Sequence, residues 1–180
     1  MGAQMLGLKH NVNLLVDYDA DWPLLFLDEQ RRIAAALGDL AKGIEHYGST
    51  AVPGMRAKPI LDIMVGIDPL EHWEKCRLAL ETLGYDYAEK AGVPEHHIFG
   101  RGRNLTERTH LVHVVKYLGT SWTTGLALRD RLRRDPELCD EYIREKERAV
   151  AAAPEGRARY NELKGPYLEA IKERLKNGST

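Results

Sequence analysis

The sequence is poor in cysteine: its 180 residues carry two, Cys76 and Cys139, with no Cys-x-x-Cys pair. That pattern excludes a disulfide scaffold and a cysteine-built zinc site, and leaves two reduced thiols. Long hydrophobic runs are also missing. No stretch reaches 18 apolar residues, so no membrane span is expected. The opening MGAQMLGLKHN has no basic stretch followed by an apolar run, so no signal peptide is expected and the cytoplasm is the expected compartment. Leu6 stands where a myristoylation signal needs Ser or Thr. Excess charge of one sign is lacking too: 26 Lys and Arg face 27 Asp and Glu, a formal net charge of -1. No array of aromatic and basic residues accompanies that balance, so no dedicated nucleic-acid partner is expected, while a small anion stays open. Repeats and low-complexity tracts are absent.

What remains is ordinary globular composition, 43% hydrophobic and 29% charged, at a length that suits one domain over residues 1–180. The charge is nonetheless uneven. Residues 1–100 hold 9 Lys and Arg against 15 Asp and Glu, and residues 101–180 hold the remaining 17 against 12. A basic second half can wall an acidic centre, or simply decorate long surface helices.

Hydrophobic periodicity predicts a short strand at Leu14–Val16 and a helix from Pro23 to Leu37. Ile44–Tyr47 reads as a strand, and the apolar, β-branched run Lys58–Ile67 as a buried central one. Alternation puts Ile60, Asp62 and Met64 on one face of that strand and Leu61, Ile63 and Val65 on the other. A helix is expected over Pro69–Leu83. Strands are expected at Tyr85–Glu89, His96–Phe99 and Thr109–Tyr117, with a turn at Gly92 and Pro94 between the first two. Helices near Thr123–Arg134, Pro136–Ala153 and Arg157–Lys176 complete an α+β architecture whose residues 120–180 are mainly helical.

The segment Glu45–Asp62, EHYGSTAVPGMRAKPILD, carries the chemistry. Gly48 permits a tight turn or a close backbone approach. Ser49 and Thr50 are placed to cap a short helix whose N–H groups face an anion. Arg56 and Lys58 add positive charge, and Asp62 on the next strand is positioned to hold a divalent ion that bridges phosphates. Together these residues read as a phosphate-and-metal pocket.

On these residues the chain resembles the GrpB family, which is itself similar to the nucleotidyltransferase superfamily of the DNA-polymerase-beta type. The matching stretches are YDADWPLLFLDEQRRI at 18–33, IEHYGSTAVPGMRAKPILDI at 44–63, HLVHVV at 110–115 and LRDRLRRDPELCDEY from 128. The resemblance implies a nucleotidyltransferase-like mixed sheet flanked by helices, with a C-terminal helical extension. It implies Gly48 and Ser49 as the phosphate-holding pair, and Asp62 as the first metal carboxylate, with Mg2+ or Mn2+ and a nucleoside triphosphate as ligands. Met64 stands where that superfamily places a second carboxylate, and a thioether does not replace one for magnesium.

The later strand offers His110 on one face and His113 on the other, with His113 matching the family's recurring Leu-His pair. His113 and Glu45 join Asp62 as candidate catalytic groups, and His46, His96 and His97 are weaker candidates. Arg129 and Arg133, four apart on one helix face, are candidates for binding the ligand, with helix-to-sheet salt bridging as their alternative. Arg101 and Arg103 share a face if their strand continues through the glycines. Lys146, Tyr142, Tyr160, Lys164 and Tyr167 echo the family pattern and either wall a cleft or merely pack. No Ser-His-Asp signature of acyl transfer appears. The expected function is a nucleotidyltransferase-like enzyme acting on a nucleoside triphosphate and a small acceptor. The alternatives are a noncatalytic nucleotide- or anion-binding protein, and a pathway-specific enzyme that joins or modifies small metabolites.

Overall fold

A computed structural model of the chain describes residues 6–89, 93–104 and 106–177. The first five residues, and Gly92 of the expected turn, lie outside them. Five strands form one mixed sheet in the order β2(Gly43–Tyr47)-β3(Leu61–Ile67)-β7(His110–Lys116)-β5(His97–Arg101)-β4(Asp86–Tyr87). The central pair β3 and β7 runs parallel, and the other neighbours are antiparallel. A small ribbon pairs β1(Leu8–Lys9) with β6(Glu107–Arg108). Parallel pairing of β3 with β7 needs a long excursion, and residues 68–109 supply it.

The two faces of the sheet are covered differently. Helices α1(Trp22–Leu37) and α2(Trp73–Thr82) lie on one face. Their residues Trp22, Phe26, Ile33, Leu37, Cys76 and Leu80 join Leu61, Ile63, Val65, Phe99, Val112 and Val114 in the main core. On the opposite face, α3(Thr120–Arg134) seats Trp122 beside Met64 and Val115. Contact there is close. A Cβ on Gly125 would lie 2.7 Å from the Met64 side chain, and one on Gly43 or Gly66 would meet the Trp122 ring at 2.7–2.8 Å. Helices α4(Pro136–Ala152) and α5(Arg157–Asn177) pack on α3 and on each other. The entry to α4 is set by Asp135, whose carboxylate accepts from the Leu138 N–H at 3.1 Å, with Pro136 opening the first turn. The fold is α+β, with a five-stranded mixed sheet flanked by helices.

Several boundaries differ from expectation. The central strand starts at Leu61, because Pro59 has no N–H and Ile60 N–H turns back to the Lys58 carbonyl at 2.7 Å. Leu14–Val16 contributes only a bridge between Val16 and Ala57. The helix expected over Pro69–Leu83 divides into a 3-10 turn, Leu70–His72, and α2. Gly100 continues β5, because its backbone passes under Arg108, whose Nε would lie 2.7 Å from a Cβ there. The strand ends at Arg101, so Arg101 and Arg103 do not share a strand face; Arg103 donates to the Leu6 carbonyl at 3.1 Å.

Candidate anion site

Register assigns each candidate to a face. Asp62 lies opposite Tyr47, and Met64 lies opposite Glu45 on one side and His113 on the other. Cross-strand partners point the same way, so Glu45, Tyr47, Asp62, Met64 and His113 share the α3 face. His46, His97, His110 and Arg101 belong to the α1/α2 face. There His46 stacks on Phe26 with centroids 4.8 Å apart and hydrogen-bonds Thr50 Oγ1 at 2.9 Å. His97 stacks on Trp73 at 4.1 Å, and His110 lies against Arg101 and Thr109. Burial, ahead of any neighbouring charge, pushes His46 and His110 down to about 4, so both are neutral members of the core.

The Gly48 turn is built around Asp62. Gly48 has φ +72°, and a Cβ on it would sit 2.7 Å from Asp62 Oδ2. The glycine is therefore required by both the backbone conformation and the approaching carboxylate. The following 3-10 turn, Ser49–Ala51, is not capped by a side chain. Thr50 is buried and bonded to His46, so it faces the core rather than an anion. The expected capped helix start is absent because three residues of 3-10 turn back into the sheet. Ser49 Oγ instead accepts a hydrogen bond from Lys146 Nζ at 3.1 Å.

The C-terminal helices close the other side. Lys146, 2% exposed, reaches from α4 to the Ser49 hydroxyl and donates to the Arg56 carbonyl at 2.5 Å. Lys58 lies over the Tyr160 ring at 3.7 Å and donates to Asn13 Oδ1 at 2.6 Å. Lys164 approaches the same ring from α5 at 5.0 Å. The charge of Asp62 is felt at Lys58, Arg157, Tyr160 and Lys164. Burial, reinforced by Lys164, pushes Lys58 and Lys146 down to about 7. Burial also opposes the charge on Lys164, but Tyr142, Tyr160 and Asp62 outweigh it and hold its pKa above the ordinary value. Among the described residues, none of Lys58, Lys146, Arg157 and Lys164 is ion-paired to a carboxylate. Three cationic groups, Lys58, Arg157 and Lys164, thus feel one carboxylate that accepts no hydrogen bond among the described residues, and Lys146 stands beside them near Lys164.

On the sheet side, Asp62 Oδ1 and His113 Nε2 are 3.8 Å apart, with side chains 32% and 12% exposed. His113 Nδ1 lies 3.1 Å from His96 Nδ1, and Tyr47 meets the His113 ring edge-on. His96 was a weak candidate in sequence; the pairing of Ile98 with His113 brings it onto this face by period two. Arg157 was not a candidate, since nothing local distinguishes it from other helix arginines.

Other expected site residues are hydrogen-bonded within the protein. Arg129 donates to Glu45 Oε2 at 2.7 Å, to the His46 carbonyl at 2.9 Å and to Asp130 at 2.8 Å, clamping α3 to β2. Arg133 Nε donates to the Ala51 carbonyl at 2.9 Å and braces the turn. Arg56 bonds Asp17, Glu147 and the Leu15 carbonyl. In this arrangement the donors of Arg129 and Arg56, and the Glu45 carboxylate, are engaged within the protein. Tyr167 stacks on Tyr142 and donates to Glu141.

The donor set does not fit a magnesium or manganese centre. Asp62 is its one carboxylate, Met64 is sealed beneath α3, and cations crowd the remaining side. Among the described residues no three His, Cys, Asp or Glu side chains converge on one point. No helix of the described residues is long and apolar enough to cross a membrane.

Comparison with known proteins covers most of the chain. The family model described as GrpB protein matches residues 13–174. The glutamate-rich protein GrpB of Alkalihalophilus pseudofirmus is 31% identical over 170 residues, covering 93% of this chain and 98% of that protein. A UPF0157 protein of Streptomyces coelicolor is 35% identical over 162 residues, covering 89% and 82%. The crystal structure of conserved protein GrpB from Enterococcus faecalis superposes with a TM-score of 0.80 at 28% identity, covering 91% of this chain and 98% of that one.

Proposed function

The chain belongs to the GrpB family, and from that premise we propose that it binds a phosphate-bearing small molecule between Asp62 and helices α4 and α5. The observation that supports this reading is the gathering of Lys58, Arg157 and Lys164 about one carboxylate, with Lys146 next to Lys164 and none of the four ion-paired to a carboxylate among the described residues. Cationic groups held close repel one another and resist burial, so the cluster is poorly compensated until an anion enters. A nucleotide supplies such an anion, and Ser49 and Gly48 then border its phosphates. Glu45, Arg129 and Arg133 act in this reading as the brace behind the turn. Nucleotidyl transfer assisted by Mg2+ or Mn2+ is the narrower form of the proposal; the single carboxylate favours anion binding over it.

Isothermal titration with ATP and with pyrophosphate, each with magnesium and with a chelator, tests the reading. Binding that survives chelation, falls with added salt and weakens in Lys164→Ala is the expected result. Absence of binding by wild type, or equal affinity in wild type, Lys164→Ala and Arg157→Ala, counts against it. Binding that appears only with magnesium returns the site to the metal-assisted form.

A further inference from the structure

Resting on the anion-binding reading, we propose that the cleft is catalytic: Asp62 takes the proton from a hydroxyl or water, His113 holds that oxygen, and His96 is a positioning residue acting through His113. Asp62 Oδ1 and His113 Nε2 are 3.8 Å apart, too far for a direct hydrogen bond. One oxygen beside that gap reaches both at about 2.8 Å. A carboxylate only accepts, so a hydroxyl there donates to Asp62 and accepts from His113 Nε2–H. That assignment leaves His113 Nδ1 as an acceptor. The nitrogen facing it, 3.1 Å away, is His96 Nδ1, and a neutral pair of imidazoles shares one proton on this contact. His96 therefore carries its proton on Nδ1. The His96 ring meets His113 edge-on at 5.4 Å, and Tyr47 meets it at 5.2 Å and 83°, so the His113 ring is held from two sides. Burial, then the neighbouring His113, lowers His96 to about 4, which keeps it neutral near pH 7.

The step balances without a further reagent. The hydroxyl proton passes to Asp62 while its oxygen bonds to a phosphorus of the bound ligand. The bond from that phosphorus to the leaving oxygen breaks, and its electron pair stays on the leaving oxygen, stabilised by the cationic cluster. The proton leaves Asp62 for solvent as the product departs. With water as the acceptor the result is hydrolysis.

Nitrogen NMR of histidine-labelled protein at neutral pH reads the arrangement directly. His96 is expected as the Nδ1–H tautomer and His113 as Nε2–H; His96 found as Nε2–H overturns the relay. His96→Asn keeps a donor near the Nδ1 position, so it preserves the His113 tautomer, whereas His96→Leu does not. Release of phosphate or pyrophosphate from ATP supplies the second readout. Asp62→Asn is expected to lower kcat at least 100-fold and His96→Leu about tenfold, with His96→Asn restoring most of the loss. Wild type that binds ATP but releases neither product overturns the catalytic assignment and leaves the binding reading standing. Wild type that fails to bind ATP overturns the binding reading and this inference with it.

Discussion

Two carboxylates on opposite faces of the sheet show how differently one charge can be used. Glu29, on α1, is 3% exposed and fully partnered. Its oxygens accept from Tyr85 at 2.8 Å, Arg101 at 2.7 Å and Arg32 at 2.8 Å. Asp62 is more exposed, accepts no hydrogen bond among the described residues, and has His113 near it only at 3.8 Å. Cations surround both, yet only around Glu29 do they complete hydrogen bonds. The difference separates a buried network that holds a fold from a half-buried group whose charge is left without a hydrogen bond among the described residues. Within a core an unpaired charge is too costly to keep, so Glu29 is satisfied. At a cleft the same deficit becomes available for a ligand.

Breaking each carboxylate separates them most sharply. Glu29→Gln leaves Arg101 short of a charge partner in the interior and is expected to cost about 3 kcal/mol. Asp62→Asn, at a side chain 32% exposed, is expected to cost less than about 1 kcal/mol. Urea unfolding measures both, and equal losses erase the distinction.

Acid exposes the closed face next. Folded His46 and His110 titrate near 4 rather than 6.5. The unfolded chain therefore takes up protons first as pH falls, and the stability held at neutral pH is lost between about 6.5 and 4. The loss is expected to be on the order of 3 kcal/mol for each histidine, and unfolding curves for His46→Gln and His110→Gln should each flatten it.

On the proposed reading, anions test the open face. Lys164→Ala and Arg157→Ala are each expected to weaken ATP binding about tenfold, roughly 1.4 kcal/mol. Asp62→Asn should bind ATP more tightly, since it removes the one negative charge in the cluster, and Glu29→Gln should leave affinity unchanged. Titration calorimetry on folded variants distinguishes these outcomes.

A smaller effect comes from Lys58 and Lys146, whose folded pKa lies near 7 against an ordinary 10.5. Above pH 7 the free cleft has shed protons that the unfolded chain retains, so their contribution to stability rises with pH across that window. An anion favours the charged forms, so binding takes up protons and affinity falls as pH rises from about 7 to 9. Titrations in buffers of different ionisation enthalpy measure that uptake. Smallest is Ser49→Ala, which removes one acceptor from Lys146 and should change stability by about 1 kcal/mol.

Much of this arrangement was legible along the chain. Period-two alternation around Asp62 placed Met64 on its face, and the structure seats both there. The Gly48–Ser49 turn was readable because glycine is needed at positive φ. Thr50 was not, since three residues of 3-10 helix rotate its hydroxyl toward His46. Arg129 read equally well as ligand contact or salt bridge; only the packing of α3 on β2 engages it with Glu45 and the His46 carbonyl.

By itself the sequence determined the main strands and helices in their order, the lone acidic residue in an apolar strand and the methionine that shares its face. Those properties depend on neighbours a few residues apart, where period and residue type suffice. The tertiary structure alone decided that His96 meets His113 and that Lys58, Arg157 and Lys164 come together near Asp62, with Lys146 beside Lys164. These groups lie far apart in sequence, and their meeting depends on strand register and helix docking, which burial of the whole core selects.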